Sequence, residues 1–295
     1  MRTAMAARIH KPDKIIPRVG LEFDLDAPDI PRYWLDGDAF KTRFFDAQSI
    51  LFPEGEKFFI ACVRDYKDRI SDPELLQQVA AFTMQEGQHG QVHTKFNNRL
   101  KGQGIRVDHI VENEKNILFK RFRGRLPKVY TLALTAAAEH MTATMAHGFF
   151  RHGLLEKADP RIRAIYAWHA VEEIEHKAVA FDVFQKIAGG GYFVRITAML
   201  QESIMFPLHV FLIMRHMFDV DGIHGAARVR LWARGLWWLY GPRGLYMRVM
   251  PHYLSYFLPG FHPWKYGQME SYEQWTQQFA ATGDPVSAGG ALKAA

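Results

Sequence analysis

Four polar clusters lie inside otherwise apolar, helix-patterned stretches, and they constrain this chain more than any other feature. They are Pro53-Glu54-Gly55-Glu56, Gln85-Glu86-Gly87-Gln88-His89, Ala138-Glu139-His140 and Glu172-Glu173-Ile174-Glu175-His176. In order they read Glu, Glu-x-x-His, Glu, Glu-x-x-His. Residues i and i+3 share a helix face, so each Glu-x-x-His can present a carboxylate and an imidazole to one point. One Glu from each of two helices, with Glu-x-x-His from each of two others, is the ligand set of a di-metal carboxylate bundle. The candidate metal ligands are therefore Glu56, Glu86, His89, Glu139, Glu173 and His176. Four carboxylates would offset much of the charge of two divalent ions. Mixed nitrogen and oxygen ligands suit two iron ions, with manganese or zinc as alternatives.

The helix signals agree with that ligand order. Pro53 fits a first helical position, with Glu54 and Glu56 at the positive helix end, and the helix runs to about Asp68. Ser71-Asp72-Pro73-Glu74 is a stop and restart, opening a second helix over about 74–100. Residues 105–126 read as a long, partly helical connection. A third helix runs from Pro127 to about Glu156, and Asp159-Pro160 starts a fourth that reaches about Ile187. Glu56 and Glu86 each lie 15 residues from the first turn at Ser71, so an antiparallel hairpin brings them level. Around Lys157, Glu139 lies 18 residues before the turn, and Glu173 and His176 lie 16 and 19 after it. The 50 residues from His89 to Glu139 suit a single long crossover.

Neighbouring groups compete for these roles. Glu54 competes with Glu56, and Glu172 with Glu173, which has the i+3 histidine. His93 and His169 fall on the metal-facing stripes and are candidates for additional ligands or supporting contacts, as are Glu172 and His140. His140 follows Glu139 and points about 100° away around the helix. His147 and His152 read as surface residues. Glu86-x-x-His89-x-x-x-His93 alone would also suit a single-zinc hydrolase, but that reading leaves three clusters unexplained.

Composition narrows the class. A single cysteine, Cys62, excludes a disulfide framework and Cys-rich zinc or iron–sulfur sites. The net charge is +6. From Gly222 to Met269 there is no Asp or Glu but six Lys and Arg, so the rest of the chain balances to zero. Arg-rich helices with Trp232, Trp237, Trp238 and Tyr240 fit an anionic membrane surface, or an accessory layer over the bundle, or an apolar tunnel to the metals. No nucleic-acid-binding motif occurs. The uncharged run Ser203–Met214, 12 residues, falls short of the roughly 20 that span a bilayer. Met1 to Lys14 has no apolar core of a targeting signal, so a cytoplasmic location is expected, with peripheral contact at the inner face of the membrane.

The chain resembles a bacterial family of predicted metal-dependent hydrolases. The likeness runs from Pro31-Arg32-Tyr33-Trp34 to Pro259-Gly260-Phe261-His262-Pro263-Trp264. It is carried by Phe52-Pro53-Glu54-Gly55-Glu56, Gln85-Glu86-Gly87-Gln88-His89, Glu139-His140 and the run from Trp168 to Ala178. The core also resembles the ferritin-like di-iron superfamily, which implies the same six ligands.

The expected fold is all-α: a ferritin-like four-helix bundle over 41–188, after an irregular arm, 1–40. A basic, aromatic helical region, 189–282, packs on the core, and 283–295 is a disordered tail. The expected function is a non-haem di-iron oxidase, oxygenase or desaturase. It would take a hydrophobic small molecule, O2 and an electron donor, with a homodimer as a further association. The alternative is a metal-dependent hydrolase using a metal-bound hydroxide. A non-enzymatic iron-binding or membrane-associated protein is the third reading.

Overall fold

The computed structural model describes residues 14–265 and 270–291, and these are all-helical apart from one isolated bridge, Leu35 with Ala158. The helices are α1 (Ala39–Arg64), α2 (Pro73–Gly102), α3 (Val107–Lys115), the single turn α4 (Arg123–Arg125), α5 (Lys128–His152) and α6 (Pro160–His176). They continue with α7 (Val179–Asp182), α8 (Tyr192–Val220), α9 (Gly225–Tyr240), α10 (Leu245–Ser255), α11 (Glu270–Thr282) and α12 (Pro285–Ala291). π-Helical segments Asn116–Phe122 and Val183–Ile187 extend α3 and α7.

Local chemistry sets the helix ends. Asp38, Asp72 and Asp159 cap α1, α2 and α6, accepting from the amides of Lys41, Glu74 and Arg161 at 3.0, 2.9 and 3.0 Å. Pro73 and Pro160 occupy the first helical turn, where no amide is needed. Gly153, at φ 56°, ends α5 in the left-handed region.

The proline signal at Pro53 misleads. α1 begins at Ala39 and runs straight through Pro53. An internal proline leaves the carbonyl four residues earlier without its amide donor. Here that carbonyl belongs to Ser49, and the side-chain amide of Asn97 on α2 donates to it at 2.9 Å. A partner 48 residues away in sequence therefore lets the helix continue. The fourth expected helix likewise ends at His176, ahead of 187, and the chain turns before α7.

α1 packs on α2 and α5, and α6 packs on α5 and α2, so each polar cluster sits on one helix of a closed set of four. The clusters form one level. On one side of it lies an apolar layer with Phe44, Ile50, Phe96, Ile165 and Trp168; on the other lies a second, with Phe58, Val63, Phe82, Leu132 and Phe181. The burial of the clusters follows from these two layers.

α8 runs along α5 and α1, α10 packs on α5, and α9 packs on α1 and α10. Gly235 lets α9 come close to α1: a Cβ there would lie 2.1 Å from the Phe40 ring. Trp232 and Trp238 turn inward against Phe40, while Trp237 and Tyr240 face outward. The arm from Lys14 to Asp38 is irregular, and Met1 to Asp13 lie outside the described residues.

The C-terminal tail corrects the sequence reading. Residues 285–291 form α12, which packs on α6. Its small residues serve close approach: a Cβ on Gly289 would sit 3.0 Å from Ala164 Cα, and Ala288 is fully buried. Residues 292–295, the rest of that expected tail, lie outside the described residues. α8 is also long and apolar enough to cross a membrane by length and composition, where the sequence reading found no such segment. Only 22% of its most apolar window is buried. The count of uncharged residues missed it because Arg195 and Glu202 interrupt an otherwise apolar helix.

Candidate metal centre

The six residues singled out from the sequence converge. Glu56, Glu86, His89, Glu139, Glu173 and His176 are all at most 3% exposed. Glu86 lies 3.0 Å from His176 Nε2 and 3.8 Å from His89 Nδ1. Glu173 lies 3.6 Å from His176 Nε2 and 3.9 Å from His89 Nδ1. Each of these two carboxylates thus stands between both imidazoles. Glu139 closes the His176 side at 3.3 Å. Three compact groups result: Glu86 with Glu139 and His176, Glu86 with His89 and Glu173, and Glu56 with His89 and His169.

The donor set has the chemistry of a cation site. Both oxygens of Glu56, Glu86 and Glu139, together with His89 Nδ1 and His176 Nε2, are buried without a well-directed hydrogen bond. Buried polar atoms normally find partners, and an uncompensated carboxylate is costly. Orphaned atoms occur elsewhere too, as at Arg195 and Trp275, but these eight lie on five of the six predicted ligands, which gather in the three groups. Oxygen and imidazole nitrogen suit a divalent metal of the iron, manganese or zinc type.

Supporting contacts fix both imidazoles. A carboxylate can only accept, so His89 donates from Nε2 to Glu172 at 3.1 Å and keeps Nδ1 free for the cluster. His176 Nδ1 lies 2.9 Å from Gln85 Oε1, and Gln85 Nε2 donates to Glu175 at 2.7 Å. That leaves His176 Nε2 for the cluster. Arg18 of the N-terminal arm holds Glu172 at 3.0 Å and Glu175 at 2.7 Å, and Tyr272 of α11 donates to Glu175 at 3.0 Å. Such contacts orient ligands and tune their basicity. Thr142 donates to Glu173 Oε2.

The secondary candidates separate. His169 lies 2.9 Å from Glu173 Oε1 and belongs to a cluster group. His93 is one layer out, with its nitrogens 2.8 Å from Ser49 and from His169. It joins none of the three groups, so the single-zinc pairing of His89 with His93 is not assembled. Glu172 supports His89. Glu54 pairs with Lys57 at 2.6 Å, away from the cluster. His140 is a correction: it faces α10, stacked on His252 at 5.3 Å, because the next residue around the helix from Glu139 looks outward from the bundle centre. His147 is half-buried and stacks on the other side of His252.

The electrostatics reflect concentrated opposite charges. Burial, reinforced by Glu86, pushes the Glu56 carboxyl well above its usual range. Burial raises Glu139 as well, against the pull of His176. Burial pushes Glu173 up too, but His176 and His169 outweigh it and hold that carboxyl well below its usual range. Burial opposes charging of His89, yet Glu172 and Glu86 carry it up to about 10. His93 and His169 are pushed down by burial and by neighbouring imidazoles.

A pocket opens onto this cluster. Glu56, His169 and Glu173 line it beside Phe52, Phe58, Met141, Met145, Phe206 and Tyr246. The sequence reading missed the supporting residues Arg18, Ser49, Gln85, Asn97, Thr142 and Glu175 as a group. Of these, only Gln85 and Glu175 carry a local signal, since they fall within the four clusters.

A family model described as predicted metal-dependent hydrolase matches residues 18–267. The chain belongs to that family. No curated protein and no solved structure matches it. The family supports metal dependence and backs hydrolysis over the oxidoreductase expectation.

Proposed function

We propose that this predicted metal-dependent hydrolase is a ferritin-like bundle enzyme holding two divalent ions, which cleaves an ester or amide of an apolar small molecule. The observation that carries the reading is the pair Glu86 and Glu173, each placed between His89 and His176. Glu56, Glu86, His89, Glu139, Glu173 and His176 would together hold the ions. Divalent ions bound there would lower the pKa of a coordinated water and polarise a carbonyl.

The chain's own residues do the rest. Glu172 and Gln85 fix which imidazole nitrogen faces the cluster. Thr142 and His169 orient the Glu173 carboxylate. The phenylalanine and methionine walls bind an apolar chain and exclude water from the reacting bond.

A second reading, a non-haem di-iron oxidase, rests on the same Glu and Glu-x-x-His order, which di-iron carboxylate bundles carry. Aryl esters and anilides of medium-chain acids, assayed with and without O2, separate the two. Equal turnover under both conditions supports hydrolysis. O2 uptake with a reductant and no ester or amide cleavage overturns it in favour of the second reading.

The exposed face of α8 supports a further proposal, that the enzyme rests on an anionic bilayer. Phe193, Leu200, Ile204, Leu208 and Leu212 form an outward apolar stripe, from 46 to 81% exposed. The arginines of α9 and its neighbourhood supply charge complementary to anionic lipid. Sedimentation with anionic vesicles should fall when Ile204 and Leu208 are changed to Ser. Unchanged sedimentation would refute this.

A further inference from the structure

The pocket above the cluster has a second polar end. Glu114, at the end of α3, and Glu202 of α8 line it together with Leu118 and Phe206. Glu114 Oε2 lies 3.3 Å from His209 Nδ1, two turns along α8 from Glu202. Glu202 makes no hydrogen bond or ion pair among the described residues. Glu114 therefore takes the one imidazole, and the half-buried Glu202 is left over in a mainly apolar pocket. Burial, with the charge of Glu114 nearby, pushes the Glu202 carboxyl up to about 8. Leu51 borders Glu114 in a neighbouring hollow and also lines this pocket, and it lies about 8 Å along α1 from Glu56. The acid end and the cluster end thus face one elongated, mainly apolar space.

We propose that this pocket selects an amphiphilic substrate whose protonated amine sits at Glu114 and Glu202, with its apolar chain leading to the reacting bond at Glu56 and Glu173. An ammonium offers three donors and the positive charge that the leftover acid lacks. A hydroxyl offers one donor and no charge, and a carboxylate offers no donor and no positive charge. The location of the reacting bond rests on the hydrolase reading, whereas the amine site does not.

The test is calorimetric titration of the purified, metal-containing protein with octylamine, octanol and octanoate. Octylamine should bind at least about tenfold tighter than either of the others. Glu202→Gln should remove that preference while leaving octanol affinity and metal content unchanged. Glu114→Gln provides a second variant, and circular dichroism checks that both fold. Octanoate binding as tightly as octylamine, or amine affinity unchanged in both folded variants, would overturn the proposal. Amine selectivity without any ester or amide cleavage would refute the hydrolase reading and leave the amine site standing.

Discussion

Replacing Asn97 by Leu should destabilise the protein through one identifiable atom, the carbonyl of Ser49. Pro53 deprives that carbonyl of its helical donor, and Asn97 Nδ2 replaces it at 2.9 Å. Both residues are buried, Ser49 fully and Asn97 to 3% exposure. Asn97→Leu is close to isosteric, so the main loss is the hydrogen bond and the desolvation of the orphaned oxygen, about 1–3 kcal/mol. The Ser49 hydroxyl loses its 3.0 Å contact to Asn97 Oδ1 but keeps His93 at 2.8 Å. Pro53→Ala returns an amide at the position that the helix itself would use. In that background Asn97→Leu should cost much less, which gives a coupling of about 1–2 kcal/mol between two residues on different helices. Urea denaturation of the four proteins in chelator, with equal slopes, measures it. An equal cost of Asn97→Leu in both backgrounds would refute the idea that Asn97 sustains α1 across Pro53.

Other perturbations separate site from scaffold. A Cβ at Gly90 would lie 3.2 Å from Glu56 Oε2, so Gly90→Ala should weaken metal binding in chelator competition. Stability without metal should hold or rise by up to about 1 kcal/mol, since alanine favours helix; unchanged metal affinity would count against Glu56 as a ligand. Glu172→Gln should lower metal affinity roughly 10- to 100-fold by weakening the hold on His89, and wild-type affinity would contradict that role. Burial and His147 push His252 down to about 4, so the unfolded chain takes up its proton first as pH falls below about 6.5. Stability should therefore decline between pH 6.5 and 4, by an amount on the order of 3 kcal/mol at most. His252→Gln should flatten that slope, and an unaltered slope in urea titrations would exclude His252 as its source.

The cluster was legible in the sequence because helical geometry ties i to i+3. Glu86 with His89, and Glu173 with His176, needed no tertiary information to share a face. Comparable distances from the Ser71 and Lys157 turns then matched the helices pairwise. What was hidden depends on partners remote in sequence. Pro53 reads as a helix start unless Asn97 is known to wait beside Ser49. Glu172 reads only as a rival or neighbour of Glu173, and Glu175 has no assigned role, until Arg18 of the arm is seen folded over both. Small residues near Gly289 read as disorder, whereas they let α12 lie against Ala164. His140 shows the reverse case: its rotation from Glu139 was legible, but its neighbour His252 was not.

Metal content tests the central claim most directly. Elemental analysis of protein purified without added metal should find two transition-metal ions per chain. Glu86→Ala and Glu173→Ala should each lose most of that metal while retaining helical circular dichroism. Wild-type metal content in both variants would contradict the assignment of these carboxylates as ligands.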